Sequence, residues 1–246
     1  MSLSKLDKIY KLIDLHKGGL LGGEVMPEDE NPGLNAATAE NYVYFTLPMA
    51  LNYQRNSYKL WEAANKSYKD SETVNIFNPS AVKKMTDDEL RAKLLKYKLA
   101  LQPNKHIEIW RTISNTIIRD FDGDVRNLFI KNDCDIKKIK DYVLARKKDF
   151  PYLGGSKILN YWLYVIEQYT DAKFKNRNFI TVAPDTHVIQ ASEKLGLITT
   201  EEAQNPNIRE ELAERWHKLL ADTNLSPIDV HTPMWLWSRG GFKHIL

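Results

Sequence analysis

Two short segments carry the residue types best suited to chemistry. The first, Gly154-Gly155-Ser156-Lys157, reads as a tight glycine turn that opens a helix with a lysine in its first turn. The second, Pro184-Asp185-Thr186-His187-Val188, reads as an aspartate capping a helix start. A lysine amine is a nucleophile once it loses its proton, and a lysine at the positive end of a helix sits where its charge is disfavoured. Free backbone N–H groups at such a start bind phosphate without help from a charged side chain. Gly155, lacking Cβ, permits the close approach of another backbone. A capping carboxylate accepts N–H bonds and holds a fixed direction, which suits it to stabilise a cationic transition state such as an oxocarbenium ion. Taken singly, the two segments also have plain structural readings, as a turn and an N-cap.

The elements that must position these residues are helical. Ser4 with Asp7 marks a helix start, Leu6, Ile9, Tyr10 and Ile13 form one apolar face, and Gly18-Gly19 stops the helix. Residues 22–35, with Pro27 and Pro32, read as a loop. Thr86 with Glu89 is a capping box, and Asn104 opens a helix with Ile107, Trp110, Ile113, Ile117 and Ile118 on one side that ends at Gly123. Ile136, Ile139, Tyr142 and Val143 mark the helix leading into the glycine turn. Residues 158–169, apolar on most sides, read as a central helix. Segments 185–195, closed by Gly196, then 212–220 and 228–237 complete the set. Phe179-Ile180-Thr181-Val182 is the one β-like run and has no evident partner. The fold class expected is all-α.

Composition narrows the function classes. The chain has 246 residues, 43% hydrophobic and 27% charged, which suits a globular domain or two lobes and excludes a disordered chain. The net charge of +3 does not by itself argue for nucleic acid, but Lys137, Lys138, Lys140, Arg146, Lys147, Lys148 and Lys157 crowd one stretch. Cys134 is the only cysteine, so no internal disulfide and no four-cysteine iron–sulfur or zinc site can form within the chain. With no signal-like or membrane-length apolar run, a cytoplasmic protein that does not engage membranes is expected. Asp120-Phe121-Asp122-Gly123-Asp124 hints at a calcium loop but fails it, because Lys131 stands where a bidentate carboxylate is needed. Walker and GxSxG motifs are missing.

The order of a helix, a hairpin, a lysine-bearing helix, then Asp185-Thr186-His187-Val188 leading into a helix that ends Leu195-Gly196-Leu197 resembles the helix-hairpin-helix DNA glycosylase superfamily, the endonuclease III-like repair enzymes. Pro151-Tyr152-Leu153-Gly154-Gly155-Ser156-Lys157 stands for the family hairpin, with Leu153 where that hairpin has its first glycine. Trp235-Leu236-Trp237-Ser238-Arg239 is similar to the family's last helix, but no cluster cysteines follow. The long gap between Lys157 and Asp185 and the missing cluster are closest in character to the cluster-free, archaeal-type 8-oxoguanine glycosylase/lyases.

The resemblance implies two helical lobes with a DNA-binding cleft between them, residues 1–42 with 171–246 forming one and 43–170 the other, and the helix-hairpin-helix at about 137–168. It implies excision of a damaged base, an oxidised purine such as 8-oxoguanine, from double-stranded DNA. Lys157 would form a Schiff base and Asp185 would stabilise the sugar cation. Leu153, Gly154, Gly155, Ser156 and His187 would contact DNA, as would Gln54 and Arg55 at the site of a stack-filling wedge. Trp235 or Trp237, two apart and therefore on different helix faces, would line a base pocket. The protein would act as a monomer without a resident cofactor, nucleoid-associated in a prokaryote, and the hairpin is compatible with a monovalent cation. Two other readings stay open: a monofunctional glycosylase for alkylated or deaminated bases, and a non-catalytic helix-hairpin-helix DNA-binding module.

Overall fold

The computed structural model describes residues 3–22 and 26–246. Every named element among the described residues is a helix, without a named strand. In chain order the helices are α1 (Lys5–Lys17), α2 (Ala39–Thr46), α3 (Ser57–Lys69), α4 (Pro79–Lys84), α5 (Asp87–Lys96), α6 (Lys105–Phe121), α7 (Arg126–Lys131), α8 (Ile136–Ala145), α9 (Ser156–Tyr169), α10 (Thr186–Lys194), α11 (Thr200–Ala203), α12 (Ile208–Leu220) and α13 (His231–Arg239).

Local signals set most of the boundaries. Ser4 Oγ accepts the Asp7 N–H at 3.2 Å while Asp7 Oδ2 accepts the Ser4 N–H at 3.0 Å, closing a capping box on α1. Thr86 and Glu89 close the same box on α5. Gly123, at φ +82, follows α6, and Gly196, at φ +75, follows α10; both take the left-handed turn that glycine accepts without strain.

The chain divides into two compact units, Met1–Val25 with Arg177–Leu246, and Met26–Asn176. Residues 26–42 and 171–176 thus fall in the second unit, not with the terminal lobe that the resemblance implies. Hydrogen bonds within the second unit account for this. Asn41 Nδ2 donates to Tyr169 O at 2.8 Å, and the Lys175 N–H donates to Cys134 O at 2.8 Å.

In the first unit, Ile9 and Leu12 from α1, Val188 and Ala191 from α10, Leu212 and Trp216 from α12, and Met234 and Trp237 from α13 form one buried cluster. Trp216 Nε1 finds its partner inside it, donating to Ser192 Oγ at 2.9 Å. The second unit is built on aromatic packing. Tyr44, Phe45, Trp61, Trp110, Phe121, Phe150 and Trp162 are fully buried. Trp110 Nε1 donates to Ile76 O at 2.9 Å, and Trp162 Nε1 to Thr46 Oγ1 at 3.1 Å, which ties α9 to α2.

The β-like run 179–182 is not a strand. Arg177–Phe179 is one 3₁₀ turn, and the buried Ile180 and Val182 belong to an irregular segment that pairs with no named strand among the described residues. Segment 228–237 is likewise two elements. Pro227 and the Ser226–Asp229 box wind Pro227–Val230 into a 3₁₀ turn before α13 begins.

Candidate functional site

In the second unit, the hairpin between α8 and α9 is built by backbone bonds. Gly154 N–H donates to Phe150 O at 2.8 Å, Gly155 N–H to Tyr152 O at 3.0 Å, and Leu159 N–H to Gly155 O at 2.8 Å. A Cβ on Gly154 would lie 3.2 Å from Phe150 O, and one on Gly155 would lie 3.1 Å from Tyr152 O, so the turn is tight at both glycines. Gly155 is the N-cap of α9 and offers no side chain to its first turn. Gly155 is exposed, whereas Gly154 is buried. Ser156 opens the helix; its side chain lies outside the described residues.

Leu153 is fully buried, so its side chain anchors the hairpin in the core and is not available to DNA. Lys157 stands exposed in the first turn of α9. On α8, Lys140 is half-buried and donates to Asn160 Oδ1 on α9 at 2.9 Å; its amine is lowered by desolvation.

One helical turn after Lys157, on the same side of α9, Tyr161 donates its hydroxyl to Glu28 Oε2 at 2.9 Å. Glu28 is 1% exposed, and burial pushes its carboxyl up to about 7 against the pull of its hydrogen bonds. The indole of Trp61 faces the same carboxyl without completing a good hydrogen bond. Sequence reasoning missed this buried acid, because Glu28 lies in a stretch that reads as a polar loop.

Gln54 and Arg55 sit on the bend before α3 and behave differently. Gln54 is exposed at φ +49. Arg55 turns inward and donates to Leu99 O at 2.7 Å and to Lys98 O at 3.2 Å. These two bonds fasten the bend, and burial pushes the guanidinium down to about 10.

In the first unit, Asp185 caps α10, and its Oδ1 accepts the Val188 N–H at 3.0 Å. His187 Nδ1 lies 3.1 Å from Ser238 Oγ, which in turn donates to Gln190 Oε1 at 2.9 Å. These contacts join the start of α10 to α13. The two tryptophans of α13 divide. Trp235 is half-buried, meets the His187 ring edge-on at 5.6 Å and has the Arg239 guanidinium 4.8 Å from its ring centre. Trp237 is core, with Nε1 donating to His244 O at 2.9 Å.

Among the described residues no group of three or more His, Cys, Asp or Glu side chains could hold a metal ion. Asp124, in the failed calcium loop, is paired with Arg126. No described helix is long and apolar enough to cross a membrane. No protein-family model matches this chain, and no curated protein sequence matches it.

Proposed function

We propose that this protein is a base-excision DNA glycosylase with an associated abasic-site lyase activity, acting on an oxidised purine such as 8-oxoguanine in duplex DNA. The observation that carries the reading is the α8–α9 hairpin: an N-cap without a side-chain cap, an exposed glycine, and an exposed lysine in the first helical turn. This is an anion-receptive helix end with a nucleophile beside it. Asp185, a carboxylate fixed by its bond to Val188 N, supplies the second group.

The chemistry follows from those two side chains. The damaged nucleotide leaves the stack. As the C1′–N bond breaks, the base departs with the electron pair and takes a proton, and the carboxylate of Asp185 stabilises the positive charge left on the sugar. The neutral amine of Lys157 forms a bond to C1′ and then loses a proton. The sugar ring opens at the C1′–O4′ bond, with O4′ keeping the electron pair and taking up a proton, which leaves an iminium ion between Nζ and C1′. Loss of a C2′ proton then expels the 3′ phosphate and nicks the strand. The reading carries with it the family's two-lobe arrangement, a DNA partner and a monomeric enzyme.

Lys157 separates this reading from a monofunctional glycosylase, which activates water and leaves an intact abasic site. Asp185 and Lys157 together separate it from a pure binding module, which needs neither. The test is a panel of duplexes each bearing one lesion, assayed with and without alkali. The reading predicts a nick without alkali on an oxidised-purine duplex. Cleavage that appears only after alkali would make the enzyme monofunctional, and binding with no excision on any duplex would leave only the module.

A further inference from the structure

Three chain segments meet on one pair of rings at the hairpin. Tyr152, in the turn before α9, takes φ +60, a left-handed conformation in which a β-carbon crowds the backbone. Its ring lies flat on that of Tyr53, with centroids 3.9 Å apart and planes 9° from parallel. Lys105, the first residue of α6, holds its Nζ 4.7 Å from the Tyr152 ring centre and 5.7 Å from that of Tyr53. The neighbouring His106 meets the Tyr53 ring edge-on at 5.6 Å. Its imidazole is pushed down to about 4 by burial, so it packs as a neutral ring.

The pair is half-buried, and it spans two strained positions. Tyr152 is one. Gln54, next to Tyr53 and exposed at φ +49, is the other. Non-glycine residues held in the left-handed region persist only where their surroundings fix them. The mechanical link to the candidate nucleophile is short. The Tyr152 carbonyl accepts the N–H of Gly155, Gly155 caps α9, and Lys157 lies in the first turn. A change in the set of Tyr152 moves the helix start that carries Lys157.

We propose that the Tyr53–Tyr152 stack, capped by Lys105, is a positioning clamp that holds the Lys157 hairpin in register with the Gln54 bend, so that both meet one DNA strand together. The proposal rests on the glycosylase/lyase reading for its functional half. Tyr53 and Tyr152 are positioning residues, and neither is asked to touch the reacting sugar. The clamp matters because a reacting amine misplaced by about 1 Å costs on the order of a hundredfold in rate.

The test uses Tyr53→Leu, which removes the stack and leaves the hairpin sequence intact, and Tyr53→Phe, which keeps the stack. Two readouts are taken on the full-length protein. The first is amide hydrogen exchange at Gly155, referenced to core amides of α6. The second is the single-turnover rate of borohydride trapping on a saturating abasic-site duplex, with the dissociation constant measured alongside. Tyr53→Leu is expected to speed Gly155 exchange by about tenfold or more, with α6 unchanged. It is also expected to slow trapping by about tenfold or more while the dissociation constant moves by less than about threefold. Tyr53→Phe should match the wild type in both. Wild-type exchange at Gly155 in Tyr53→Leu, or equal damage from Tyr53→Phe, would overturn the clamp. If the wild-type protein traps no DNA, the lyase reading fails, and Gly155 exchange alone decides whether the clamp exists.

Discussion

The Tyr161 hydroxyl donates a 2.9 Å hydrogen bond to the buried carboxyl of Glu28, one helical turn from Lys157. The bond joins α9 to the Pro27–Asp29 turn, and it puts an acid inside the second unit with a proton affinity far from that of a free carboxylate.

The first prediction concerns pH. The Glu28 carboxyl is raised from 4.5 to about 7 in the folded protein. Between those values the folded state keeps a proton that the unfolded chain has released, so stability falls as pH rises through this window and levels off above it. The full gap corresponds to a loss of about 3 kcal/mol. Urea unfolding at about pH 5 and about pH 8 should show the decline in the wild type and a much flatter profile in Glu28→Gln. Equal slopes in the two proteins would show that Glu28 is not the group responsible.

A second prediction separates the two roles of Asp185. Asparagine caps helices about as well as aspartate, so Asp185→Asn should change the unfolding free energy by no more than about 0.5 kcal/mol. The same variant should lose base excision and retain DNA binding, because the amide carries no charge to place against the sugar cation. Asp185→Ala should lose about 1 kcal/mol of stability as well. Excision by Asp185→Asn at the wild-type rate would remove the carboxylate from the mechanism.

The third prediction divides Gln54 from Arg55. Arg55 donates to two backbone carbonyls from a partly buried guanidinium, so Arg55→Ala should lower stability by about 2 kcal/mol in chemical denaturation. Gln54 is exposed, so Gln54→Ala should stay within about 0.5 kcal/mol of the wild type while weakening binding or excision on damaged duplex. A stability loss for Gln54→Ala with unchanged excision would reverse the assignment.

What the sequence revealed depended on range. Capping signals are local, and Ser4 with Asp7, Thr86 with Glu89, and Asp185 with Val188 could each be read from residues a turn apart. Placement that depends on distant residues was hidden. Leu153 gives no local sign of being fully buried. Arg55 looks like any surface cation until the carbonyls of Lys98 and Leu99 are in place. Tyr53 and Tyr152 lie far apart in the chain and meet only in the fold. The apolar alternation of residues 179–182 resembled a strand because Ile180 and Val182 are buried, but burial with a two-residue period does not require a ladder. Glu28 was the least legible, since an acidic residue in a proline-containing stretch ordinarily faces water.

The most direct test of the central claim is covalent trapping with borohydride, which reduces an iminium ion to a stable amine. The wild-type protein, incubated with duplex DNA containing 8-oxoguanine or an abasic site, should give a protein–DNA adduct, with the modified side chain mapping to Lys157. Lys157→Ala should give none while still binding the duplex. An adduct of wild-type yield in Lys157→Ala, or a wild-type protein that excises the base yet forms no adduct, would contradict the assignment of Lys157 as the nucleophile.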